Sequence, residues 1–440
     1  MLRLTRLLIL IACITRASAE IEHTDEDDIY EGQSLLCLLD FSFKCLNSTM
    51  CIFRDYLCDG VIDCDNGSDE WDEECIDRHD QENWNIKIGH KMDEITNAET
   101  QLMFTDETKL PCEKGGYPAE CDCWITVAHE SKTVSNQTLD AHSDDSQYTI
   151  LATHLDCFKR NLTAVPANIP LNVTILDLEN NLITEIREED FAGLSILKEL
   201  YLSKNDIRNI EAGALKDLAL LEALHLGSNR MVELPEDVFA TLENLEVLSL
   251  TNNYLKTIRD TAFSHLTKLQ YLDLSSNFIR TLNKKHLEKQ KAMTFLSLSW
   301  NKPLDIEFGA FDSLSYLEFL QLVDTGLSHI SSGIFQNLGS LVDLDLERNF
   351  LLSIKKGDLI GLENLEHLQM KNNSIRRIED GAFEAMKNLK DLSLSYNKLQ
   401  ALTEEVFRPL ESLQIMDLSF NEIEVIRAGA ISHLGKLSHL

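Results

Sequence analysis

From residue 173 onward, apolar and polar positions alternate in a fixed stanza, Leu-x-x-Leu-x-Leu-x-x-Asn-x-Leu. Its first apolar position falls at Val173, Leu197, Leu221, Leu245, Leu269, Met293, Leu317, Leu341, Leu365, Leu389 and Leu413, with a twelfth start at Leu437. Every step has the same length, without insertion or deletion. The Leu-x-Leu alternation predicts a short strand with one face inward. A return segment often reading Ala-Phe-x-x-Leu follows, as at Phe263 to Leu266, and its Phe and Leu side chains are expected inside. The Asn column (Asn181, Asn205, Asn229, Asn253, Asn277, Asn301, Asn349, Asn373, Asn397, Asn421) falls where the chain leaves the strand. A buried carboxamide there satisfies backbone groups that the turn would otherwise leave unpaired. Thr325 interrupts the column, and that coil is expected to be looser.

A repeat of this length and pattern is a leucine-rich repeat, and the expected fold class is a leucine-rich-repeat solenoid: a curved parallel β-sheet with short return segments. Residues 173–440 carry eleven repeats and a truncated twelfth. An ending in the part-finished strand at Leu440 would expose an apolar edge, so a fragment or truncated form is expected.

The segment 1–19 reads as a secretory signal: Arg3 and Arg6, the apolar run Leu7 to Ile14, then Ala17-Ser18-Ala19 before Glu20. That run falls short of the roughly 20 residues that span a bilayer. A secreted protein, or the extracellular face of the plasma membrane through a domain beyond Leu440, is the expected location. Of eleven cysteines, ten lie outside the signal in two clusters, a pattern of an oxidising compartment. Lys plus Arg number 40 against 73 Asp plus Glu, a formal charge of −33. Such a field disfavours nucleic acid and anionic lipid, and attracts basic ligands over a screened range.

After an acidic leader at 20–36, six cysteines (Cys37, Cys45, Cys51, Cys58, Cys64, Cys75) crowd into a stretch too short for an ordinary core. Among them stand Cys58-Asp59-Gly60, Asp63-Cys64 and Ser68-Asp69-Glu70. Several carboxylates on a chain pinned by disulfides suit a hard cation such as calcium, which takes six to eight oxygens. Residues 37–75 resemble a small disulfide-rich calcium-binding low-density-lipoprotein (LDL) receptor class A module. The resemblance implies the pairs Cys37–Cys51, Cys45–Cys64 and Cys58–Cys75. It also implies one structural Ca2+ on the side chains of Asp59, Asp63, Asp69 and Glu70 and the carbonyls of Tyr56 and Val61. Tyr56 stands where that family usually has Trp.

Residues 76–111 form a linker containing Trp84, and residues 112–172 a cysteine-rich cap ahead of the first coil. Cys112, Cys121-Asp122-Cys123 and Cys157 resemble the amino-terminal cap of extracellular leucine-rich-repeat proteins. That likeness implies Cys112–Cys123 and Cys121–Cys157, with a long polar insertion between Cys123 and Cys157; a zinc site is the competing reading of Cys-x-Cys. Glycosylation signals stand at Asn47, Asn136, Asn161, Asn172 and Asn372, with a further one at Asn66 inside the acidic loop.

Positions between the strand leucines face the concave side. There Tyr271, Phe295 and Phe319 occupy one column, with Trp300 beyond, and the column then turns to Asp343 with Asp345 and Glu347 on the same strand. Adjacent coils are ~4.8 Å apart, and a helical turn rises about 5.4 Å. A helix lying across the strands therefore meets about one coil per turn. An amphipathic basic helix fits an aromatic patch beside Asp-x-Glu. A basic run, Lys284, Lys285, Lys289 and Lys291, replaces the return-segment Phe of one coil and is expected to be solvated.

The order of signal, class A module, linker, cysteine cap and uniform repeats resembles the ectodomain of relaxin-family peptide receptors, leucine-rich-repeat G-protein-coupled receptors. The resemblance implies capture of a relaxin- or insulin-like peptide hormone through Asp-x-Glu strands beside an apolar patch. Asp345 and Glu347 match that pattern, as do Asp177 and Glu179 in the first coil. The pair beside the aromatics is preferred, so the candidate ligand face is Tyr271, Phe295, Phe319, Asp343, Asp345 and Glu347. It further implies that the module and linker act as a tethered activator of a membrane domain that this chain lacks. The alternative is a secreted or matrix leucine-rich-repeat adhesion protein. Histidines such as His225 and His367 stand on separate coils without a nucleophile, so no enzymatic activity is expected.

Overall fold

The computed structural model describes residues 42–44, 51–53, 107–112, 116–129 and 148–440. The signal, the leader, most of the cysteine module, residues 76–106 of the linker and residues 130–147 between Cys123 and Cys157 lie outside them. So do Cys37, Cys45, Cys58, Cys64, Cys75, the calcium ligands implied at Tyr56 to Glu70, and the sequons at Asn47 and Asn136. Within the module, β1 (Ser42–Lys44) and β2 (Cys51–Phe53) pair antiparallel, with Phe43 opposite Ile52.

The larger unit is built on one sheet. Among the described residues it has fourteen strands, eleven of them contributed one per coil from Ile175–Asp177 to Ile415–Asp417, all parallel and in strict register. Leu176 faces Leu200, Leu200 faces Leu224, and the central residue of every later strand continues the row at 0–1% exposure. The sequence forces this result. With a constant period and no indel, each inward leucine meets its equivalent on the next coil.

The Phe positions of the return segments form a second interior row, with Phe239–Phe263, Phe311–Phe335 and Phe383–Phe407 stacked at 6.2–6.4 Å. At the basic run Leu287 takes the Phe place, fully buried, on a 3-10 turn (Lys284–Leu287) capped by Asn283. Lys284 and Lys285 point outward to Asp312 and Asp260. All four lysines of the run are thus exposed, and Lys284 and Lys285 are ion-paired.

The Asn column is a hydrogen-bonded ladder. Asn277 donates to the carbonyls of Leu250, Leu274 and Ser275 at 2.9–3.1 Å and accepts the Leu255 N–H at 3.0 Å. The expectation of a looser coil at Thr325 is corrected by the structure. Thr325 is fully buried, its N–H donates to Asn349 Oδ1 at 3.1 Å, and its hydroxyl lies 3.0 Å from the same oxygen. The reason lies one coil back. Each ladder Asn accepts an N–H from just past the preceding ladder position, as Asn205 does from Ile183 and Asn277 from Leu255. For Thr325 the corresponding residue is Pro303, which has no N–H to give. An asparagine carbonyl there has no donor to receive, and threonine substitutes with a hydroxyl that bonds forward.

The cap extends the same sheet at its amino-terminal edge. Strand β3 (Glu107–Pro111) pairs with β4 (Asp122–His129), and β4 with β5 (Tyr148–Asp156), both antiparallel; β5 then pairs parallel with the first coil. Disulfides Cys112–Cys123 and Cys121–Cys157 tie these strands, and Cys121, Cys123 and Cys157 pack into the core. All four cysteines are consumed in these bonds, which leaves no thiolate for a zinc site here. Among the described residues, no helix is long and apolar enough to cross a membrane.

Candidate ligand-binding face

The register assembles one continuous column on the concave face. Tyr271 lies beside Phe295, Phe295 beside Phe319, Phe319 beside Asp343, Asp343 beside His367, and His367 beside Asp391. The rings of Tyr271 and Phe295 stack face to face at 4.3 Å. Phe295 is 6% exposed, while Tyr271 and Phe319 on either side are half-buried. The column therefore presents a short aromatic floor rather than three fully projecting side chains. It changes at Asp343 from apolar to acidic within one strand spacing.

Asp345 lies in the next column over, beside Gln321 and Gln369. Burial, aided by the nearby Glu347 and Asp343 carboxylates, pushes its carboxyl up to about 7, against the pull of a backbone hydrogen bond. That bond is the Glu347 N–H donating to Asp345 Oδ1 at 2.9 Å. Asp177, Asp273 and Asp417 make the same contact to Glu179, Ser275 and Ser419 at 2.8–2.9 Å. Aspartate at this place thus has a local task, capping an N–H where the chain leaves the strand. Asp273 shares the strand of Tyr271 at one end of the aromatic floor. Asp345 stands at the other end, one coil beyond Phe319 and on the strand of Asp343.

Glu347 is not isolated. The Arg348 guanidinium is 3.7 Å away and the Lys371 ammonium 3.9 Å away. Arg348 also lies 5.5 Å from the Trp300 ring centre, so Trp300, Arg348, Glu347 and Lys371 form one chain of contacts along the rim of the face. Two cations at near-limiting distance hold the Glu347 carboxylate loosely, and a better-placed guanidinium would compete for it.

The other Asp-x-Glu pair, Asp177 and Glu179, lies at the first coil, far along the sheet from the aromatic floor. Glu179 pairs with Lys204 at 3.3 Å, and Tyr201 donates to Glu199 at 2.7 Å. Sequence reasoning missed two features of this end. His225 stacks on Tyr201 at 4.7 Å, and burial lowers its pKa to about 4, so it is neutral and structural. In the cap, Trp124 stacks on His154 at 5.2 Å with the Lys109 ammonium 5.2 Å over the indole. The β4–β5 pairing that creates this contact leaves no mark in the repeat period. His367, set aside as isolated, stands between Asp343 and Asp391. The constant repeat spacing contains that information.

Comparison with known proteins agrees with this architecture. The leucine rich repeat model matches six segments, which together cover residues 172–302 and 315–440, and the low-density lipoprotein receptor domain class A model matches residues 37–75. Relaxin receptor 1 of Homo sapiens is 30% identical over 176 residues, 40% of this chain and 19% of that protein. Relaxin receptor 2 of Canis lupus familiaris is 30% identical over 183 residues, 41% of this chain and 19% of the relative. The matched segment thus spans about a fifth of the curated relatives' length. Among solved structures, a chain in an octameric complex of latrophilin 3, Unc5D and FLRT2 superposes with TM-score 0.53 at 28% identity, over 61% of this chain and 81% of that one. An internalin from Listeria monocytogenes superposes with TM-score 0.53 at 19% identity, over 67% and 89%, a likeness of fold alone. Repeats, class A module and homology together support a relaxin receptor-like ectodomain, and these are non-enzymatic binding folds.

Proposed function

The chain belongs to the leucine-rich repeat family, and from that premise we propose that it is the extracellular ligand-binding region of a relaxin-like peptide hormone receptor. Its concave face takes a basic helical peptide: an apolar side chain packs on Tyr271, Phe295 and Phe319, and cationic side chains reach Asp343, Asp345 and Glu347. The observation that carries this reading is the register. Phe319 lies beside Asp343, and Gln321 beside Asp345, so the aromatic floor and the carboxylates share a surface within two strand spacings. Helical pitch and coil spacing are nearly equal, so a helix crossing the strands keeps contact with successive coils.

Charge state shapes the interaction. With a carboxyl pushed up to about 7, Asp345 exchanges its proton near neutral pH. A cation bound beside it favours the ionised form, so capture of a basic ligand releases protons, and affinity rises with pH across that range. Glu347 passes from Arg348 and Lys371 to the ligand cation.

The class A module, with one Ca2+ on Asp59, Asp63, Asp69, Glu70 and the carbonyls of Tyr56 and Val61, acts with the linker as a tethered activator of a membrane domain. The module's match and the donor chemistry of its acidic loop support the calcium. A second reading, a secreted or matrix adhesion protein using the same face, draws on the likeness to the latrophilin 3, Unc5D and FLRT2 complex.

Titration calorimetry with relaxin-like peptides separates the two readings. Replacing Asp345 and Glu347 together with Ala is expected to weaken binding by about 2–5 kcal/mol, the range for truncating one side of a buried charge pair. Unchanged affinity for every peptide tested would remove the site.

A further inference from the structure

On the strand-exit edge of the solenoid, the residue before each ladder position has a positive φ. This holds at every coil from Asn180 (58°) through Asp324 (46°) and Asn372 (60°) to Phe420 (53°). Left-handed backbone is cheapest for Asn and Asp among residues with a side chain, because bulky groups crowd the following carbonyl. Asn and Asp duly occupy Asn180, Asn252, Asp324 and Asn372. The aromatics depart furthest from that preference: Trp300, which meets Arg348, and then Tyr396 and Phe420. Tyr396 and Phe420 are both exposed, at 46% and 64%, and their rings stack at 4.2 Å with 13° between planes. Neither contributes to the core. Two large aromatics held in a costly conformation, away from the interior and on adjacent coils, form a surface device rather than packing.

The coil before Tyr396 carries Asn372 at the equivalent place, exposed and opening the glycosylation signal Asn372-Asn373-Ser374. Backbone bonds fix the alignment: the Asn372 N–H donates to Ser395 O at 3.0 Å, and the Tyr396 N–H to Ser419 O at 3.0 Å. Asn372, Tyr396 and Phe420 are therefore three successive members of one column, about 5 Å apart. Phe420 covers one face of the Tyr396 ring. The other face looks back to the coil of residues 371–373, from which the Lys371 ammonium approaches to 5.7 Å.

We propose that Asn372 carries an N-linked glycan whose first sugar packs on Tyr396, with Phe420 extending the platform. A pyranose ring has an apolar C–H face that suits a flat aromatic surface, while its hydroxyls stay in water. The platform lays the glycan along the exit edge toward the last coils. It rests on Asn372 occupancy, not on which ligand the concave face binds.

The test uses the full chain secreted from a glycosylating eukaryotic host. Mass spectrometry of the Asn372 peptide reads occupancy, and a glycan-releasing amidase applied to the folded protein reads how tightly the first sugar is held. The variant Tyr396→Asn with Phe420→Asn removes the platform, restores the residue that the backbone prefers there, and creates no new signal. Release at Asn372 is expected to be about fivefold faster or more in this variant, and Tyr396→Phe should stay as slow as the parent. An unmodified Asn372, a double-variant rate within about twofold of the parent, or an acceleration shared by a glycan on Asn161 in the same molecule would overturn the proposal.

Discussion

Asp345 has one task that the structure shows and one that is proposed, and only the second depends on its ionisation. As a cap it accepts the Glu347 N–H, which either a carboxylate or a neutral carbonyl oxygen can do. In its proposed role as a ligand for cations it must be charged, yet burial holds its carboxyl up to about 7. The sign of the stability effect follows from proton counting. In the unfolded chain an aspartate ionises near about 3.9, so between about 4 and about 7 the folded state binds more protons than the unfolded one. Stability from this group is fully present below that window and falls as pH rises through it. Asp345→Asn keeps the cap and removes the titration. Its melting temperature at pH 8 is expected to exceed the parent's by about 2 °C or more. Parent and variant should converge as pH falls toward 4, a trend that calorimetry at several pH values checks. A parent advantage at pH 8 would show that the charged form is the stabilised one. The identity of the acidic residue was legible from the alternation of strand positions, but its elevated pKa was not, because it depends on how closely neighbouring strands enclose the carboxyl.

At the scale of one coil, the ladder explains why the sequence can break its own rule once. Asn349 accepts three donors, the Thr325 N–H, the Thr325 hydroxyl and the Leu327 N–H, and donates to Leu322, Leu346 and Glu347 carbonyls. Asn349→Ala orphans several of these buried groups, and a loss of about 2–3 kcal/mol in urea unfolding is expected. The consensus repair Thr325→Asn should fail for a different reason. Its carbonyl oxygen would face Pro303, which has no N–H, and a loss of about 1–2 kcal/mol is expected where consensus logic promises a gain. A stabilised Thr325→Asn would contradict the account. The repeat period exposed the Asn column and the gap at Thr325. What it did not show was that Pro303, on the preceding coil, makes the gap self-consistent, since that coupling crosses coils.

At the scale of the molecule, the two units differ in what holds them. The solenoid rests on continuous rows of buried leucine and phenylalanine, with the cap disulfides closing one end. The module at 37–75 is too small for such a core and takes its proposed stability from disulfides and calcium. Chelation is therefore expected to unfold the module while the solenoid's melting transition stays in place, and nuclear magnetic resonance of the module region reads the difference. A module that remains folded without calcium would refute the metal assignment. The solenoid was readable from sequence because its contacts repeat at one fixed offset along the chain. The cap sheet was not, because its β4–β5 pairing spans an insertion of no fixed period, and the Trp124–His154 contact emerged only with it.

The claim joining these scales is that the aromatic floor and the carboxylates beside it receive one basic helix. A double-mutant cycle between Glu347 and each arginine of a relaxin-like peptide measures that contact most directly, through the affinities of parent, Glu347→Ala, arginine-to-alanine peptide and both together. One arginine is expected to show a coupling of about 1.5 kcal/mol or more, lost when Asp345 is also replaced. Strict additivity for every arginine would mean that the peptide's cations do not meet this strand, and the concave-face account would fall.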